Sequence, residues 1–125
     1  MTTDNVADIL LVLVGIVNLV PGVVATVSVE RAATAYGIAP DGPDLATVLR
    51  HRGVLLMVVG LGLVAVPWWP EIRTAAIIAG VISMASFVAI VLARPGVGAP
   101  LRKVMWIDVA ALGLVLVAVL LSASG

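Results

Sequence analysis

Four runs of roughly 20 apolar residues, each closed by proline, glycine or charge, take up most of this 125-residue chain. A helix of that length crosses about 30 Å of hydrocarbon with every backbone group bonded internally. The runs cover about 6–29, 44–66, 72–93 and 101–121. The pattern predicts an all-α polytopic membrane protein, a single four-transmembrane-helix bundle over residues 1–125. Composition points the same way, at 62% hydrophobic and 11% charged. Soluble domains are about half apolar and a quarter charged, and a helix this greasy has no polar face to turn to water.

The interruptions carry information of their own. Asn18 and Pro21-Gly22 break up the first run, and Pro43 stands at an N1-like position before the second. Pro67 and Pro70 bracket a tight turn, and Arg94-Pro95-Gly96 closes the third run. The longest connection, Glu30 to Gly42, reads as a short interfacial helix (ERAATAY) closed by Gly37 and then a PDGP turn. The opening MTTDN is acidic and lacks a positive n-region, so the first run is expected to remain as a span rather than be cleaved.

Several function classes fall away. Without cysteine there is no disulfide, thiol redox chemistry or iron–sulfur ligation. Zero net charge and the lack of a basic run give nucleic acid nothing to bind. No catalytic set and no metal-ligand spacing stand out. The expected partners are membrane lipids, and beyond them other membrane subunits or further copies of the chain. Lys and Arg are unevenly shared between the two sides. One side collects Arg31, Arg50, Arg52, Arg94, Arg102 and Lys103, and the other has Arg73 alone. The positive-inside rule then places both termini outside a bacterial inner membrane. Trp68 and Trp69 suit the outer aromatic belt, Trp106 and Tyr36 the inner one.

Helical spacing assigns the polar residues to faces. Asp8, Gly15, Asn18 and Gly22 form one stripe, and Arg50 shares another with Gly53, Met57 and Gly60. Arg52, roughly 200° from Arg50, is expected to face lipid and snorkel. The third span has a small-residue face that includes Ser83 and Ser86, and in the fourth Asp108 lies with Met105, Ala111 and Val115. Because small residues mark close helix packing in membranes, an intramembrane polar cluster of Asn18, Arg50, His51, Ser83, Ser86 and Asp108 is expected. Arg50 and Asp108, each roughly 10 Å inside one boundary, are the opposite charges expected to meet. Such a pair either fixes helix register or forms a working site. Asn18 is expected to satisfy a carbonyl freed by Pro21. His51 reads first as a solvated interfacial residue. Haem ligation would need Met57 or a second copy to supply the other ligand.

The run GIVNLVPGVVATVSVERAATAYGIAPDGPDLATVLRHRGVLLMVVGLGLV joins a span ending at proline, a short helix ending in YGI, an acidic turn and a span opening with arginine. It resembles the DoxX-like group of small four-helix bacterial membrane proteins over its first two spans, and KVMWIDVAALGLVL matches that group's fourth helix in layout. The resemblance implies an accessory or scaffold subunit of a redox assembly, with a quinone or lipid as candidate ligand. A chain without cysteine or a soluble catalytic segment departs from an independent oxidase. The alternative is a small proton- or cation-coupled transporter working through Asp108.

Overall fold

The computed structural model describes residues 2–39 and 42–124. They form α1 (Thr3–Val27), α2 (Val29–Tyr36), α3 (Gly42–Ala65), a 3-10 turn (Pro70–Ile72), α4 (Arg73–Ala93) and α5 (Ala99–Ser124). Four of these helices are long and apolar enough to cross a membrane, the architecture of a multi-pass bundle. The chain runs up-down-up-down, with α1 packed on α3 and α5, and α4 on the same two. The first span is shorter at its far end than its hydropathy suggests. Ser28, in extended conformation, ends α1, and its hydroxyl accepts from Arg31 N–H to start α2. Pro40 and Asp41 of the PDGP turn lie outside the described residues.

Apolar side chains gain nothing by leaving lipid for a helix interface, so close approach and dispersion must hold the helices together. The tightest contact is the antiparallel seam between α1 and α3. A Cβ built on Gly22 would stand 2.8 Å from the Gly53 carbonyl oxygen, and one on Gly60 would stand 2.7 Å from that of Gly15. Two glycines spaced by seven on one helix thus face two spaced by seven on the other. Any side chain there would wedge backbone from backbone.

The helices also match a bilayer's hydrocarbon thickness in length. Asp8, Arg73 and Ser122 meet at one end, where Arg73 donates to Asp8 Oδ1 at 2.8 Å and to the Ser122 hydroxyl. Following α1, α4 and α5 for about 20 residues from this latch leads to Ser28, Ala93 and Arg102, a span of about 30 Å. The first two are where α1 and α4 end, and Arg102 begins the basic end of α5. Between these levels the outward side chains are mostly apolar, among them Leu13, Leu61, Ile82, Leu92 and Leu116, with Ser86 an exposed polar exception. Trp68 and Trp69 are 76% and 65% exposed at the latch end, and Trp106 is exposed near the basic end.

The amphipathic α2 lies across the basic end. It buries Val29, Ala32, Ala33 and Tyr36 against Ala25 of α1 and Leu49 of α3. Its last turn closes as a Schellman motif, with Ile38 N–H donating to Ala33 and Gly37 N–H to Thr34. Gly37 has φ 69°, and a Cβ there would meet Pro100 at 2.6 Å, so both conformation and space require glycine.

Candidate functional site

Under α2, between α1, α3 and α5, lies a cavity of about 350 Å³. Buried Asn18 and Leu56 form its floor, and buried Ala32 and Tyr36 of α2 its roof. Its rim is formed by exposed Ala35, Pro100 and Lys103 at the basic end and by exposed Pro21 and Ile107 on the lipid-facing side of α1 and α5. The volume is at the low end of the roughly 300–1,000 Å³ usual for small-molecule pockets, enough for a polar head and part of an apolar body.

The polar groups of the wall come from four helices. Asn18 is only 3% exposed. Its Nδ2 donates to the Val14 carbonyl at 2.9 Å and reaches Met84 Sδ at 3.7 Å, leaving Oδ1 without a partner among the described residues. The carbonyl that loses its helical donor to Pro21 is Val17's, not Val14's, so Asn18 is not the proline's repair. It is a polar floor residue tied back to its own helix and across the bundle to α4.

Arg52 is held from two sides. Its Nε donates to the Tyr36 hydroxyl at 3.0 Å, and its guanidinium lies 5.5 Å from the Tyr36 ring centre and 4.7 Å from that of Phe87. The Nη groups have no acceptor among the described residues. Asp108 lines the same cavity, close enough to feel the Arg52 charge but not within ion-pair distance of it. Measured along the helices from the basic-end level at Arg102 and Ser28, Asp108 stands about 9 Å in and Asn18 about 15 Å in toward the bundle's middle. Arg52, opposite Asp108 in the cavity wall, is at a comparable level.

The expected cluster is therefore redistributed. The structure brings Asn18 and Asp108 to one cavity. Arg50 is exposed and makes no ion pair among the described residues, so the expected Arg50–Asp108 meeting does not occur. The arginine turned inward is Arg52. The packed stripe of α3 is Leu49, Gly53, Leu56, Gly60 and Leu63, alternating steps of four and three. Arg52 is three residues from Leu49 and four from Leu56, on the flank of that stripe. Following the glycine stripe alone turns Arg50 inward and Arg52 to lipid, the reverse of the structure; the 49–56–63 leucine heptad is the sequence signal that points to the right face. His51 is exposed. On α4 the buried stripe runs Ala76, Gly80, Met84, Val91, which leaves Ser83 half-buried and Ser86 exposed, its hydroxyl donating to the Ser83 carbonyl. Tyr36, assigned to the aromatic belt, is instead buried as Arg52's support.

Among the described residues no group of three or more metal-ligating side chains is found. No family model, curated protein or solved structure matches the chain.

Proposed function

We propose that this protein binds a lipophilic molecule with a polar head, taken sideways from the bilayer into the cavity under α2, and that it works as an accessory or scaffold subunit in doing so. The observation that carries this reading is the set of unpartnered polar groups in an apolar cavity with a lipid-side mouth: Arg52 Nη, the Asp108 carboxylate and Asn18 Oδ1. An ionisable group at membrane depth costs a few kcal/mol unless it is paired or wet, and a ligand head supplies the pairing. The DoxX-like resemblance of residues 15–64 supports a quinone or a lipid as the molecule held. Native mass spectrometry of protein purified in gentle detergent should show a bound small molecule. Ala35→Trp, which blocks the mouth from an exposed position, should abolish it; equal mass spectra from both proteins would refute the reading.

The Lys/Arg asymmetry supports a bacterial inner-membrane setting with both termini outside. A cysteine at Thr3 should then react with an impermeant thiol reagent in intact cells while one at Gly98 stays protected. A second reading, coupled transport through Asp108, draws on that carboxylate's place in the cavity wall. It requires flux in proteoliposomes that Asp108→Asn abolishes.

A further inference from the structure

We infer that the head recognised in this cavity is zwitterionic, a phosphate ester joined to a primary ammonium, as in an aminophospholipid such as phosphatidylethanolamine. The inference rests on the cavity being a lipid-side binding site and adds the chemistry of its ligand.

Charges of both signs face the cavity without neutralising each other. Arg52 offers Nη donors from a guanidinium fixed by Tyr36 and Phe87, and Lys103 stands at the mouth as a second cation. Together they suit a phosphate, which takes several charge-assisted hydrogen bonds at once. Across the cavity the Asp108 carboxylate accepts only, and deeper down Asn18 has Oδ1 without a partner while its Nδ2 is occupied. Two acceptors lining one cavity require donors from the ligand, and a primary ammonium brings three. A purely anionic head would satisfy Arg52 and Lys103 but would set its charge against Asp108. A quaternary ammonium has no N–H to give to Asp108 or Asn18. A neutral acceptor-only head would leave the carboxylate uncompensated below the membrane surface. A phosphate at the mouth with its ammonium reaching inward answers all of these groups. The exposed rim of Pro21 and Ile107 keeps the acyl chains in the surrounding bilayer.

The test is competitive retention. Delipidated protein is re-equilibrated with equal amounts of phosphatidylethanolamine, its N-methylated derivatives, phosphatidylcholine and phosphatidylglycerol, and bound lipid is counted by native mass spectrometry. Retention should fall stepwise as methyl groups replace N–H, by at least fivefold from phosphatidylethanolamine to phosphatidylcholine. Asp108→Asn should bring that ratio close to one, whereas Arg52→Gln should lower retention of every phospholipid together. Melting curves of both variants establish that they remain folded. Preference for phosphatidylglycerol, or equal retention of all heads, would overturn the zwitterion while leaving a lipid-side cavity standing. Displacement by soluble phosphoethanolamine would assign the head to a water-borne ligand and overturn the lipid. No retention of any lipid, in wild type and Ala35→Trp alike, would remove the underlying reading as well.

Discussion

At the latch end, Arg73 closes on Asp8 at 2.8 Å and bonds Ser122 besides; at the basic end, Arg52 and Asp108 line one cavity and stay apart. The charge types are the same and both sites draw on three or more helices, so the difference is one of geometry. Arg73 is the first residue of α4 and can turn toward both α1 and α5. Arg52 is anchored through Nε to Tyr36 and stacked on Phe87, on the far side of the cavity from α5. A cation–π contact is worth about 2 kcal/mol when desolvated, and Arg52 has two ring contacts as well as the Tyr36 hydroxyl, which together hold the guanidinium away from the carboxylate. One end spends its charges on the fold. The other keeps them available.

The contrast depends on a frame that holds the two ends apart, and the largest effect should come from breaking that frame. In Gly60→Leu the new side chain must push aside backbone of both Gly15 and Leu19, whereas Gly113 faces open space. Gly60→Leu should cost more than about 3 kcal/mol, the upper end for overpacking, while Gly113→Leu should cost next to nothing. Size-exclusion profiles and melting in detergent read both. Equal, small losses would mean that the glycine seam does not set the arrangement.

Next in size is the latch. Arg73→Gln or Asp8→Asn leaves a half-buried charge without its partner, and each should cost about 1–3 kcal/mol, with the double variant losing less than the sum. Asp108→Asn in delipidated protein should lose no stability and should gain up to about 3 kcal/mol, because no ion pair is broken and a carboxylate without a partner is removed from the cavity wall. A loss at Asp108 as large as that at Asp8 would erase the distinction between the two ends.

Much of this was legible in the chain, for reasons visible in particular residues. Long apolar runs have few options in lipid, so the four spans and the helix closed by Gly37 follow from local signals. The face carrying Asp108 also follows, since Met105, Ala111 and Val115 around it are buried. Which arginine turns inward does not follow from small-residue stripes, because α3 buries leucines and glycines along the same line. The latch was hidden for another reason. Asp8 and Arg73 are 65 positions apart, and only the bundle's common length brings them to one level. Tyr36 was misplaced because a tyrosine near a boundary suits both an aromatic belt and a buried hydrogen bond.

The smallest effect separates the two neighbouring arginines, and it bears most directly on the cavity. Arg52 and Asp108 face the same space, so Arg52→Gln and Asp108→Asn should be coupled, by about 0.5–1 kcal/mol in a double-mutant cycle on delipidated protein. Arg50 is exposed on a different face of α3, and its cycle with Asp108 should be additive within about 0.3 kcal/mol. The Arg52 cycle has a built-in control. Tyr36→Phe removes the hydroxyl that fixes Nε while keeping the ring beneath the guanidinium. If that bond is what holds Arg52 off Asp108, Tyr36→Phe should let the two charges approach and raise the coupling. An unchanged coupling would assign the separation to Phe87 stacking instead. Coupling of Asp108 to Arg50 rather than Arg52 would place the wrong arginine in the cavity, and with it the donor on which the proposed headgroup depends.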